Sequence, residues 1–411
     1  MGIPELLAPA GGMDALRAAL HFGADAVYGG MKKYGLRAFA GNFSPDELAE
    51  AISLAHKTCK KFYVTMNCYP FDDELEDFIA AAGLAAELGA DAVIAADPGA
   101  IMELRRKLPR LNVHVSTQAN TVNAPAVELY RNLGCKRVIL AREMSLDRIR
   151  ALREKIGDSI QMETFVHGAS CMAYSGRCLL SAYLTGRSGN RGECAQPCRW
   201  KYAVMEGKRP GEFLPVAEDE NGTYLFSARD LCLLPLLPEL CGAGIASLKI
   251  EGRMKTEYYV AVVTGVYRRA LDLLARSREC FEENLPALAA ELNCASHRLS
   301  DTGFLLGKPE TPGEAEGFWQ EREYVARVTE DAGEDGWAKL LLKNRFFAGD
   351  ALELMTSEGV RAVKAKPFVR EKTGETLETL GVAGEIIRME LPGSRRGDML
   401  RGPVRNHRAN G

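Results

Sequence analysis

Eight short apolar runs, most of them separated by a helical pattern, constrain this chain more than any other feature. They lie at 5–9 (E-L-L-A-P), 24–28 (A-D-A-V-Y), 61–67, 90–97, 112–118, 137–142, 161–167 and 246–251. Each is short, near-continuously apolar and rich in β-branched residues, the pattern of a strand buried on both faces of a parallel sheet. Helical patterns fill 44–57, 72–88 and 145–155, the first opening S-P-D-E. Serine at the cap, proline in the first turn and acids behind it are a helix start. Eight β–α alternations favour a TIM-like (β/α)8 barrel over a doubly wound sheet. The repeated G-A-D-A-V at 23–27 and 89–93 supports recurring units.

Two departures shape the rest of the chain. The seventh run is followed by an irregular insertion, 168–232, where a helix is expected. Long irregular segments inside compact domains usually carry function. Within it, 201–207 and 211–217 read as a small β-hairpin. A helix at 256–276 follows the eighth run, and the barrel domain is placed at 1–299. Residues 300–320, rich in Gly, Pro and Glu, read as a linker. Short alternating strands with turn signals then predict a small C-terminal antiparallel β-barrel domain over 321–411. Its tail from Arg388 holds Arg395, Arg396, Arg401, Arg405 and Arg408 with few acids, a composition suited to phosphate contacts.

The insertion also concentrates the thiols. Of eleven cysteines, Cys171, Cys178, Cys194 and Cys198 fall among Gly, Ser, Asn and Arg, with Cys232 further on. A disulfide framework, a reactive thiol and a metal site are the three readings. No apolar run approaches the roughly 20 residues of a membrane span, and no signal-peptide pattern opens the chain. The expected location is therefore cytoplasmic, where stable disulfides are rare. A net charge of -3 excludes a surface that coats nucleic acid, though not a local basic patch. His167 precedes Cys171 by four residues, but no protease or zincin signature surrounds the pair. Only Cys194 and Cys198 have zinc-like spacing; the wide spacing of the rest suits an iron–sulfur cluster held by several loops.

A barrel of this class carries its site where the strands end. The polar residues there are Asn67, Asp97, Ser116, Gln118, Asn120, Arg142, Glu143, Glu163, His167, Glu251 and Arg253. The cysteine loop leaves the same face and is expected to close over it.

The stretch from 163 to 181 resembles the signature of peptidase family U32, the collagenase-like proteases. Glu163, Phe165, Gly168, Ala169, Cys171, Gly176, Cys178, Leu180 and Ser181 match it, and Ser170 departs from an expected aliphatic residue. Further matches are A-P-A-G at 8–11, R-G-E-C-A-Q-P-C-R at 191–199 and S-L-K-I-E-G-R-M-K at 247–255. The resemblance implies oxygen-independent hydroxylation rather than proteolysis, and a 4Fe–4S cluster as cofactor. It implies Cys171, Cys178, Cys194 and Cys232 as ligands, with Cys198 as the alternative. A barrel with one small β-domain resembles the members that form 5-hydroxyuridine at the tRNA wobble position with prephenate as hydroxyl source. The partners it implies are a tRNA anticodon loop and an electron donor or paralogous subunit. Under that expectation Arg142, Arg253 or Arg191 pairs with prephenate carboxylates, and Glu163 or His167 moves protons. A true peptidase, and a non-catalytic RNA-binding or assembly factor with a structural metal, are the alternatives.

Overall fold

Eight parallel strands form a closed ring in the computed structural model, which describes residues 2–37, 40–171, 173–200, 217–219, 222–224, 229–307 and 318–405. They are β1 (Glu5–Pro9), β2 (Ala26–Gly30), β3 (Lys61–Met66), β4 (Ala92–Ala95), β5 (Val113–Val115), β6 (Arg137–Ile139), β7 (Gln161–Ala169) and β8 (Ser247–Ile250). Each pairs with the next in sequence, and β8 pairs with both β7 and β1, which shuts the barrel. Closure leaves no edge strand to protect, and the near-continuous apolar runs follow from burial on both faces.

The outer helices are α1 (Met13–His21), α2 (Pro45–Lys57), α3 (Leu75–Glu87), α4 (Pro98–Lys107), α5 (Ala124–Asn132) and α6 (Leu146–Ile156). Ser44 and Glu47 make the expected capping box of α2. Asp97, Asn123 and Ser145 cap α4, α5 and α6. The G-A-D-A-V repeat has a physical cause. Gly23 and Gly89 take φ of +93° where helix turns into strand, a conformation that favours glycine. The aspartate two residues on accepts the backbone N–H of the preceding strand: Asp25 from Leu6 at 3.0 Å and Asp91 from Phe62 at 2.8 Å.

Beyond β7 come α7 (Leu180–Thr185), a hairpin of Ala217–Asp219 with Gly222–Tyr224, and a short strand, Asp230–Cys232. The expected hairpin at 201–207 and 211–217 lies almost entirely outside the described residues. Asp230–Cys232 runs antiparallel to the end of β7, with Cys232 opposite His167. Ser300–Asp301, in the segment read as linker, extends it as a parallel strand; residues 308–317 are outside the described set. Helices α8 (Leu237–Gly242), α9 (Glu257–Arg276) and α10 (Arg278–Leu292) complete the barrel domain.

The C-terminal unit is an antiparallel sheet over its own apolar core, which includes Val328, Leu340, Leu354, Phe368 and Ile387. Its main strands are β9 (Arg322–Glu330), β10 (Trp337–Leu342), β11 (Ala351–Thr356), β12 (Gly359–Lys364), β13 (Phe368–Arg370), β14 (Ile386–Glu390) and β15 (Met399–Pro403). They pair in the order β12-β11-β15-β9-β10-β14-β13, with Thr376–Leu377 beyond β13; no ladder joins the two end strands among the described residues.

The basic tail is corrected at two of its arginines. Arg401 lies in β15, buried, and its guanidinium pairs with Glu291 of α10 and Glu353 of β11, each at 2.7 Å. Arg405 pairs with Asp350, and Arg408 lies outside the described residues. The acids that neutralise these arginines come from distant segments, so local composition hid them. Arg327 and Lys343 of the sheet domain likewise pair with Glu257 of α9.

Candidate active site at the barrel mouth

At the C-terminal ends of the strands, residues from β2, β3, β4, β6, β7 and β8, the turn after β5 and the neighbouring loops enclose a small cavity of about 40 Å³, room for only a few waters. Four cations line it: Arg37, Arg142, Lys249 and Arg253. Among its lining residues Glu251 is the one carboxylate. Arg37 Nη2 lies 3.3 Å and Arg142 Nη2 3.7 Å from the Glu251 carboxylate. Burial works to raise the Glu251 carboxyl, but Arg37, Arg142, Arg253 and Lys249 outweigh it and hold it below the usual range. Arg142 also donates to Ala169 O at 2.7 Å and lies 4.0 Å over the Phe165 ring. Arg253 donates to Thr65 Oγ1 at 2.8 Å and to Asn42 Oδ1. Burial, with Arg37 beside it, pushes Arg253 down to about 10. The Nε atoms of Arg142 and Arg253 are buried and hydrogen-bond to nothing among the described residues. A mouth with four cations, one local carboxylate and two unmatched guanidinium donors is arranged to receive an anion.

The signature residues explain themselves at this mouth. Phe165 is the platform under Arg142. Gly168 has φ of +105°, and a Cβ there would lie 2.5 Å from Glu251 O. Gly176, at φ +72°, leaves room for the Gln118 amide, which donates to Ser175 Oγ at 2.8 Å. Ser175 belongs to the cysteine loop and lines the cavity. The loop therefore reaches the mouth through Ser175.

Other expected residues are placed differently. Glu163 is fully buried but lies one layer below the mouth, paired with Arg137 at 2.9 Å and Lys249 at 3.2 Å. Arg137 reaches on to Glu5 at 2.6 Å. Glu163 is thus an internal counter-ion and does not line the cavity. His114 shares this layer, packed edge-on to Tyr63. Burial, aided by Arg137, holds His114 well below the usual histidine range. A folded-state value below the unfolded one gives stability that is present above about pH 6.5 and is lost as pH falls. Each pH unit below that is expected to cost up to about 1.4 kcal/mol through this group. Urea unfolding at pH 7 and pH 5 measures it, and His114→Phe flattens the dependence; an equal slope in parent and variant rejects the assignment.

His167 is turned away from the mouth. The register of β7 on β8 shifts there, so Lys249 faces Phe165 while Ile250 faces His167. This bulge re-aims the side chain, and His167 packs against Tyr259 and Tyr267 of α9. Burial pushes it down to about 4. The nucleophile reading loses its base with this placement. Arg191 is engaged with Glu74 and Tyr69 O and does not line the cavity. Asp97 caps α4, Asn120 ends a turn in the left-handed region, and Glu143 does not line the cavity. Asn67, Ser116, Gln118, Arg142, Glu251 and Arg253 do line it. Sequence reasoning missed Arg37 and Lys249. Lys249 had a signal, a lysine two residues before Glu251 inside an apolar run; Arg37, in a loop, had none.

Among the described residues the cysteines do not converge. Cys171, Cys178 and Cys194 are exposed, and Cys198 is half-buried. Cys171 is within electrostatic reach of Arg37. A Cβ on Gly189 would lie 3.8 Å from both Cys194 Sγ and Cys178 O, so these two flank one turn. Cys232 is half-buried; desolvation pushes its thiol up, and it bonds to Tyr267 on the α9 side. Among the described residues no three His, Cys, Asp or Glu side chains form a metal-holding group. The thiol set has the chemistry of a cluster site, but this conformation does not assemble a cage.

Comparison with known proteins follows the same lines. The Haemophilus influenzae tRNA hydroxylation protein P is 35% identical over 437 aligned positions, 95% of this chain and 93% of the relative. The Escherichia coli protein of that name is 38% identical over 401 positions, 87% of each. An Escherichia coli 23S rRNA 5-hydroxycytidine synthase is 38% identical over 274 positions, 67% of this chain and 40% of that protein. The pattern of peptidase family U32 matches residues 11–315, and that of the family's C-terminal domain matches 320–401. With both parts matched in order, this chain belongs to peptidase family U32.

Proposed function

We propose that the chain is an RNA-modifying hydroxylase that converts a tRNA uridine to 5-hydroxyuridine, acting at the wobble position. The observation that carries this reading is the cation-rich mouth, where the buried Nε atoms of Arg142 and Arg253 hydrogen-bond to nothing among the described residues. An enzyme that binds an anionic oxygen donor beside its target base needs such a mouth. Prephenate, a dicarboxylate, fits as that donor, with Arg37, Arg142 and Arg253 taking its carboxylates. The uridine enters from an anticodon loop, unstacked, because its C5 is out of reach inside a stack. Lys249, whose ammonium burial holds below its usual range, is the proton-moving group that faces the cavity. The loop segment bearing Ser175 must withdraw before either substrate enters.

Cys171, Cys178, Cys194 and Cys232, with Cys198 as alternative, are the proposed ligands of a 4Fe–4S cluster, which would supply electron transfer or a Lewis acid. Their separation means that ligation gathers the loop, as metal sites that form on folding do. A separate electron donor or a paralogous subunit is the second proposed partner. Among the described residues no helix is long and apolar enough to cross a membrane, and a cytoplasmic tRNA pool is the proposed setting.

Anaerobic purification tests the cofactor: a brown protein with about four iron and four sulfide per chain is expected, bleached by Cys171→Ala. Nucleoside analysis of tRNA tests the reaction. Cells lacking the gene and any paralogue are expected to lose 5-hydroxyuridine and regain it on complementation. Its persistence at the parental level rejects the reading, as does peptide cleavage by a colourless protein that Cys171→Ser abolishes.

A further inference from the structure

Aromatic side chains stand exposed in the segments that follow β3 and β7. Phe71, in the loop after β3, is 66% exposed; Tyr174 of the cysteine loop is 51% and Tyr183 of α7 is 88% exposed. A single exposed ring needs no explanation. Here, however, guanidinium groups lie over rings of the same patch. Arg191 lies 5.2 Å from the Phe71 ring centre and Arg177 5.3 Å from that of Tyr69. Arg191 donates to Tyr69 O at 3.2 Å, which joins the two pairs into one surface. That surface abuts the loop segment at the mouth: Tyr69 OH donates to Gln118 O, and the Gln118 side chain holds Ser175, both at 2.8 Å.

We infer that the Tyr69–Phe71–Arg177–Arg191 surface is a docking site for a single-stranded RNA loop, on which a base next to the one entering the mouth stacks. Exposed rings offer a face to any unstacked base, and guanidinium groups beside them meet the flanking phosphates. The neighbouring acids set the scale. Asp72 and Asp73 are exposed beside Phe71, and Glu74 already pairs with Arg191. With Arg191 committed to Glu74, Arg177 is the guanidinium left for a phosphate, so the patch takes a single phosphate and not the long backbone of a duplex. A short unpaired loop is the partner that this ratio of rings to net charge fits. The inference rests on the RNA-hydroxylase reading but assigns a surface outside the cavity on which that reading stands.

The test uses the full-length, iron-loaded protein and two fluorescein-labelled RNAs, an anticodon stem-loop and the same stem as a loopless duplex, read by anisotropy. Phe71→Ala is expected to weaken stem-loop binding about tenfold, Phe71→Trp to restore it, and duplex binding to stay unchanged. Arg177→Ala is expected to lower the slope of log K against log salt by about 0.7, one phosphate contact on a single strand. Stem-loop affinity unchanged in Phe71→Ala, with melting temperature and iron content at parental values, overturns the surface. If that variant also hydroxylates tRNA normally, the proposed function stands without it. Failure of the parent protein to bind the stem-loop at all overturns both.

Discussion

Replacing Glu163 by alanine is expected to destabilise the fold by about 3–5 kcal/mol, the usual cost of removing one partner from a buried ion pair. Glu163 is wholly buried and serves two cations, Arg137 and Lys249. Arg137 retains Glu5 and Gln161 after the change, but Lys249, itself buried, loses the salt bridge that holds it. Glu163→Gln keeps the volume and part of the hydrogen bonding, so a smaller loss is expected. Denaturant midpoints measure both. A Glu163→Ala protein as stable as the parent but inactive would show that the carboxylate acts in chemistry, contrary to its position beneath the mouth.

The second large effect concerns Glu251. Glu251→Gln leaves Arg37, Arg142 and Arg253 crowded around a neutral amide, and a loss of about 3 kcal/mol or more is expected. The diagnostic part is rescue. If the mouth is an anion site, a small dicarboxylate such as malonate replaces the missing charge and stabilises the variant by mass action. Melting temperature should rise with malonate more in Glu251→Gln than in the parent, and sodium chloride of equal ionic strength should not reproduce it. Equal responses to the two salts would remove the basis for placing an anionic substrate here.

These two residues also show how far sequence carries. The barrel was readable because period and length alone distinguish buried strands, and the glycine and aspartate of G-A-D-A-V have local roles that a repeat exposes. Depth along a strand was not readable. Glu163 and Glu251 are both acids in apolar runs, and only the stagger of β7 against β6 and β8 puts one below the mouth and the other in it. His167 sat at the expected strand end, and a one-residue bulge sent it to the helix side. Strand β15 was hidden because its arginine reads as tail composition until Glu291 and Glu353 are brought beside it. Arg37 is set by a loop that carries no periodic signal, whereas Lys249 interrupts an apolar run and was legible in principle.

The seam between barrel and sheet has a further consequence, in evolutionary terms. Glu257 and Glu291 of the last two barrel helices are neutralised by Arg327, Lys343 and Arg401, all from the second domain. A descendant that discarded the sheet would leave two acids on α9 and α10 without their partners and free to change. The five positions are therefore tied: they are expected to be kept or lost in the lineage as one set, whatever happens to the sequence between them.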